Sequence, residues 1–267
     1  MSIRQTSMLP TPDTSHVNHD RVYEPAEDSF LLLDTFSSAE ETAFLKARFT
    51  NAPSPTICEV GTGSGVVLAF LTAQCKPILG REDVLTLGTD LNAFACQATV
   101  ETVERSVEHS TAGSTKAGVR GFLGVMNTDL TACLRPGSVD VLMFNPPYVP
   151  APMPDLSKHE GYNTTSGSLS TNQAFDRDSH MLELSYAGGV DGMETTNRLL
   201  DQIPSILTAE RGVAYVLLCA QNNPEQIKAR IADWEGGWSA TIVGRSGKQA
   251  GWENLVILRI CHETASG

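Results

Sequence analysis

Positive charge is scarce in this 267-residue chain. It carries 19 Lys and Arg against 31 Asp and Glu, a formal net charge of −12, and the bases are scattered rather than gathered in a stripe. A protein that grips nucleic acid unaided normally carries a positive footprint, so stable nucleic-acid binding is not expected. No apolar run is long enough to span a bilayer, and the first 20 residues are polar rather than leader-like, so neither a membrane anchor nor a signal peptide is expected. The six cysteines, Cys58, Cys75, Cys96, Cys133, Cys219 and Cys261, contain no C-x-x-C pair. That spacing argues against a structural zinc site or a disulfide framework, and for free thiols in a reducing compartment, the cytoplasm and also the nucleus.

What is present is enough apolar material for one large core, 41% hydrophobic residues. The chain reads as a flexible tail over residues 1–20 and a single domain over 21–262. Helical patterns cover Glu27–Phe36 and Ala39–Phe49. Strand-like runs follow near 56–60, 84–89, 119–126 and 139–144. A helix near 191–207, a strand over Gly212–Cys219, a helix near 223–234 and a closing pair near 239–245 and 253–261 complete the order. Strands alternating with helices predict a doubly wound α/β sheet of seven strands. Two stretches are poor in core-forming residues. Arg105–Gly118 reads as a flexible connection, and residues 153–185 as a flexible insertion whose composition buries little surface, with a substrate lid directly after the Asn145 turn as the alternative.

Two motifs carry chemistry. The first is Asn145-Pro146-Pro147-Tyr148, which directly follows the apolar run Val139–Phe144. Two prolines fix φ and remove two backbone donors, leaving carbonyls free to face a ligand. Asn145 adds a side-chain oxygen acceptor, and Tyr148 a flat aromatic face. Together they form a clamp for a planar NH2 group, suited to methylating an amide or an aromatic amine. The second is Glu59-Val60-Gly61-Thr62-Gly63-Ser64-Gly65, between a strand and a helix. Its glycines permit a sharp turn and close approach of a ligand, and the helix N-terminus offers free N–H groups. The spacing is G-x-G-x-G, neither the dinucleotide fingerprint nor a P-loop. Asp90, followed by Leu91, closes the next strand, where a carboxylate can accept from both hydroxyls of a ribose. Asp129 and Leu130 close the third and stand where an adenine would lie. Glu59, Asp90, Asp129 and Asn145 thus fall at the same edge of the expected sheet.

In this order, these motifs resemble the class I S-adenosylmethionine-dependent methyltransferases, whose sheet is Rossmann-like and mostly parallel with an antiparallel last strand. The stretch Val22-Tyr23-Glu24-Pro25-Ala26-Glu27-Asp28-Ser29, with Tyr186–Gly192 and Asn222-Asn223-Pro224-Glu225, is similar to the HemK-like group. Within it, the resemblance is to the glutamine methyltransferases of class I translation termination factors. The likeness spans residues 21 to about 261. It implies S-adenosyl-L-methionine as cofactor, with Tyr23, Glu27, Asp28 and Ser29 covering its methionine end. It implies the glutamine of a Gly-Gly-Gln motif in a peptide chain release factor as acceptor. It also implies a small zinc-binding activator as partner in a heterodimer, at the edge strand Val119–Met126. An apolar strand at a sheet edge is an aggregation hazard, which makes a covering partner physically reasonable; cover by the chain's own Arg105–Gly118 segment is the alternative. Two other functions share features of the site: adenine-N6 methylation of DNA or RNA, which uses the same clamp, and a cofactor-binding scaffold without catalysis.

Overall fold

The computed structural model describes residues 9–111, 121–165, 169–247 and 254–262. Three apolar segments dictate its centre: β1 (Thr56–Val60), β4 (Val141–Phe144) and β5 (Val213–Cys219) bury nearly every residue they contain. Strands with no polar face must be covered on both sides, the condition of a parallel sheet between two helix layers. On one wing stand β2 (Leu85–Asp90) and β3 (Phe122–Asn127); on the other stand β6 (Trp238–Arg245) and β7 (Leu255–His262). The strand order is β3-β2-β1-β4-β5-β7-β6. β1 pairs in parallel with β2 and β4, β2 with β3, and β4 with β5. β7 runs antiparallel to both β5 and β6. This is the mostly parallel seven-stranded sheet with an antiparallel last strand that the sequence predicts.

Alternate residues of the central strands feed two cores. Ile57, Val141, Met143 and Tyr215 face α1 (Glu27–Ser37), α2 (Ala39–Phe49), α3 (Val66–Ala73), α4 (Cys75–Leu79) and α5 (Ala93–Thr111). Cys58, Leu142, Phe144 and Leu218 face α8 (Glu194–Ile206) and α9 (Pro224–Ala232). One polar cluster lies within the first core. Glu41 Oε1 accepts from Arg259 Nη1 at 2.6 Å, and Glu41 Oε2 accepts from the Tyr215 hydroxyl at 2.7 Å. β1 and β4 are neighbours although the chain visits β2 and β3 between them. The strand order reverses there, and a crevice opens beyond the carboxyl ends of the strands.

Three expectations need correction. Residues 9–20, expected as part of a flexible tail, pack on α5: Val17 is buried against Phe94 and Ala95, and His16 Nε2 lies 3.2 Å from the Thr102 hydroxyl. Residues 1–8 lie outside the described residues. The connection expected from Arg105 to Gly118 begins as helix, because α5 continues to Thr111; 112–120 lie outside the described residues, and so do Val119 and Arg120 of the expected edge strand. The segment 153–185 is not a structureless insertion. It holds α6 (His159–Tyr162) and α7 (Thr171–Tyr186), the latter opened by a Ser170–Gln173 capping box. Only a few of its side chains, among them His159, His180 and Met181, reach the interior, which is why its polar composition conceals two helices. Residues 166–168 lie outside the described residues.

Candidate active site

The carboxyl ends of β1, β2 and β4 converge on one cavity. Its walls include Glu59, Gly61, Thr62 and Gly63 from the first motif, Asp90 and Leu91, Asp129 and Leu130, and Asn145, Pro146 and Pro147. Tyr23, Asp28 and Ser29 close it from the amino-terminal side. Most of the residues singled out in the sequence therefore meet around one space, although they come from five separate parts of the chain.

The glycine loop is locked by its neighbours. Gly61, Gly63 and Gly65 all have positive φ (66°, 52° and 80°). The Gly63 N–H donates to Asp90 Oδ2 at 2.9 Å, and the Asn92 N–H donates to Asp90 Oδ1 at 2.8 Å. These bonds aim the Asp90 carboxylate at the cavity. Burial pushes its pKa up to about 6, against the opposing effect of those two backbone donors. Glu59 is also buried; its Oε2 accepts from the Leu68 N–H in the first turn of α3 at 2.9 Å, and burial holds its pKa well above the usual carboxylate range. Glu59 thus pins α3, and with it the loop, to β1.

Three of the expected residues stand elsewhere. Gly65 does not line the cavity; a Cβ there would lie 2.6 Å from Thr99 Cα, so this glycine lets α3 press against α5. Glu27 is exposed at the start of α1 and is not part of the wall. Tyr148 lines the adjoining cleft with Val149, Pro150, Cys219 and Gln221. Its hydroxyl donates to Asp28 Oδ2 at 3.4 Å, and the Tyr23 hydroxyl donates to the same oxygen at 3.0 Å. Asp28, 3% exposed, therefore joins the amino-terminal motif to the Asn145 turn. Asp129 is in the wall but is engaged by Arg198 of α8.

Several wall residues carry little signal in the sequence: Met153, Met181, Leu184, Thr195 and Arg198. Met181 and Leu184 belong to α7, whose mostly polar sequence gives little sign of them. The backbone of Leu91 anchors this cover. Its carbonyl accepts from Asn163 Nδ2 at 3.0 Å and lies 3.1 Å from His159 Nε2.

One atom of the wall is unsatisfied. Asn145 Oδ1 is buried and has no hydrogen-bond partner among the described residues. Such an acceptor costs free energy unless a ligand supplies the donor.

A strand-turn-helix glycine loop, an aimed carboxylate at the end of β2 and an unpartnered amide oxygen at the end of β4 define a cofactor-dependent group-transfer site. No family model matches the chain. Curated relatives do. The methyltransferase HEMK2 of Homo sapiens is 33% identical over 256 residues, which cover 93% of this chain and 95% of that protein. The eRF1 methyltransferase catalytic subunit mtq2 of Schizosaccharomyces pombe is 31% identical, over 95% of this chain and 96% of that one. Among solved structures, an rRNA methylase from Streptococcus thermophilus matches at 10% identity with a TM-score of 0.42, over 84% of this chain and 95% of that one. The chain belongs to the HEMK2 family of methyltransferases.

The methyl donor is S-adenosyl-L-methionine, and the cavity suits it. The open glycine loop admits close approach of a ligand to the backbone, and the ionised Asp90 carboxylate is placed to accept from ribose hydroxyls.

Proposed function

We propose that this chain methylates the side-chain nitrogen (N5) of the glutamine in the Gly-Gly-Gln motif of a class I peptide chain release factor. It does so in the cytoplasm, as the catalytic subunit of a heterodimer with a small zinc-binding activator. The observation that carries the reading is the buried, unpartnered Asn145 Oδ1 at the wall of the cofactor cavity. An amide NH2 supplies the donor that this oxygen lacks. The name of the fission-yeast relative, an eRF1 methyltransferase catalytic subunit, supports the acceptor and the existence of a second subunit.

The bound cofactor supplies an electrophilic methyl group. The work left to the protein is to place a weak nucleophile. A glutamine nitrogen shares its lone pair with its carbonyl, so its geometry has to be held. Asn145 Oδ1, with the Pro146 carbonyl as second acceptor, accepts hydrogen bonds from the two N–H groups and fixes the amide plane; one of the two protons leaves to solvent once the nitrogen carries the methyl group. Orientation of this kind supplies up to ~7–11 kcal/mol of a barrier in favourable cases, and acceptors aimed at developing positive charge add to it. Asp90 would hold the ribose, the Gly61–Gly63 backbone would line the cofactor, Asp28 with Tyr23 would close the methionine end, and Asp129, engaged by Arg198, would meet the adenine.

The edge of the sheet supports a partner. Leu123 of β3 is 63% exposed on the outermost strand among the described residues, an apolar side chain that pairing with a second subunit would cover. Adenine-N6 methylation uses the same acceptor, but the net charge of −12 gives a duplex little to hold.

The test is labelled methyl transfer by the chain co-expressed with the activator. Three acceptors run in parallel: the release factor, the same factor with its Gly-Gly-Gln glutamine changed, and unmethylated DNA. Label in the intact factor alone supports the reading. Label in DNA, or equally in both forms of the factor, overturns it.

A further inference from the structure

The turn that carries Asn145 rests on a second layer of backbone. After α7 the chain passes through Tyr186-Ala187-Gly188-Gly189-Val190-Asp191-Gly192. This loop pairs with the residues just after the turn. The Val149 N–H donates to the Tyr186 carbonyl, the Gly188 N–H to the Val149 carbonyl, and the Gly189 N–H to the Ala151 carbonyl, each at 2.9 Å. The approach is too close for side chains. A Cβ on Gly188 would lie 2.4 Å from the Pro147 carbonyl oxygen, and one on Gly192 would lie 2.0 Å from that of Tyr148. The carbonyls of the turn are therefore backed directly by glycine.

One side chain holds this layer from behind. Asn222 is 3% exposed and lies just beyond the end of β5. Its Oδ1 accepts from the Cys219 N–H at 2.8 Å, and its Nδ2 donates to the Asp191 carbonyl at 3.0 Å. Asp191 itself is held at φ 55°, an uncommon conformation for a residue with a side chain. The Asn222 Nδ2 also stands 3.0 Å from where a Gly192 Cβ would be. Every residue of β5 is buried, so Asn222 links an interior strand to the glycine loop, and the glycine loop to the turn.

We propose that Asn222 is a positioning residue for methyl transfer: through Asp191 and the Gly188–Gly192 loop it fixes where Asn145 presents its acceptor. Asn222 lines neither the cofactor cavity nor the adjoining cleft. It acts only through the backbone between them. The inference rests on Asn145 being the site of transfer. Misplacement of a reacting group by about 1 Å lowers rates by ~100-fold, so loosening this link is expected to reduce kcat by ~10- to 100-fold.

The experiment compares Asn222→Asp with wild type, both in complex with the activator. Aspartate keeps the acceptor for Cys219 but loses the donor to Asp191. Three quantities are read: kcat on the release factor, affinity for S-adenosylhomocysteine, and amide hydrogen exchange at Val149, Gly188 and Gly189. The expected result is faster exchange at those three amides and a reduced kcat, with unchanged cofactor affinity and an acceptor KM within ~3-fold of wild type, the pattern of a lost transition-state interaction. Gly188→Ala, which pushes on the Pro147 carbonyl directly, is expected to give the same split. Unchanged exchange in Asn222→Asp overturns the proposal, as does faster exchange with kcat intact, or equal losses of kcat and cofactor affinity. If the wild-type complex leaves the factor unlabelled, the acceptor reading fails, and the exchange data alone decide the brace.

Discussion

Replacing Asn145 by alanine should make the protein more stable and nearly inactive. Asn145 Oδ1 is buried and has no hydrogen-bond partner among the described residues. A buried unsatisfied acceptor costs ~1–3 kcal/mol, and alanine removes it. The van der Waals packing of the amide group disappears with it and offsets ~1 kcal/mol of that gain. The net expectation is about 1 kcal/mol of added stability, which for a domain of this size raises Tm by ~2–4 °C. In the proposed mechanism, transfer depends on the same oxygen. Removing one preorganised charge-stabilising group costs ~10²–10³ in kcat in comparable sites. The assay is thermal unfolding of the cofactor-free chain beside single-turnover methylation. A Tm lowered by several degrees, or transfer kept within ~3-fold of wild type, would refute the idea that this site stores an unsatisfied acceptor for its substrate.

Other consequences follow from the same structure. Burial raises the Asp90 pKa to about 6, and the ionised carboxylate is the form that accepts from a ribose. Cofactor affinity should therefore be level above pH 7 and fall as pH drops through 6, by about tenfold at pH 5, measured by calorimetry; a flat profile to pH 5 removes Asp90 from the ribose. Gly65→Ala sets a Cβ at φ 80° and 2.6 Å from Thr99 Cα, so strain and overpacking together should cost ~3 kcal/mol in denaturant unfolding. Glu41→Ala leaves Arg259 without its carboxylate beside the buried Tyr215 hydroxyl. The expected loss is ~3–5 kcal/mol, with activity preserved in the fraction that folds.

The sheet was legible because its signals are local. β1, β4 and β5 are short apolar runs bounded by glycine or proline, and their ends carry the residues that chemistry needs. The cavity residues Gly61, Asp90 and Asn145 could be placed for that reason. What escaped depends on packing between distant segments. Gly65 sits in the same motif as Gly61, but its neighbour is Thr99 of α5, so its role is set by helix packing rather than by the loop. Nothing in the order Glu27-Asp28 says which carboxylate turns inward; the start of α1 buries Asp28 and exposes Glu27. Tyr148 was expected to stack on an acceptor, and only the fold reveals that Asp28 takes its hydroxyl. The helix over Thr171–Tyr186 was hidden because polar residues dominate it and only His180 and Met181 are buried.

The most direct test of the central claim is to locate the methyl group. The release factor, incubated with the chain, its activator and S-adenosylmethionine, is digested and sequenced by mass spectrometry. One added methyl is expected, on the side-chain nitrogen of the Gly-Gly-Gln glutamine, absent when Asn145 is replaced by alanine. A methyl on a different residue type, or the same methyl formed at undiminished rate by the Asn145 variant, would contradict that claim.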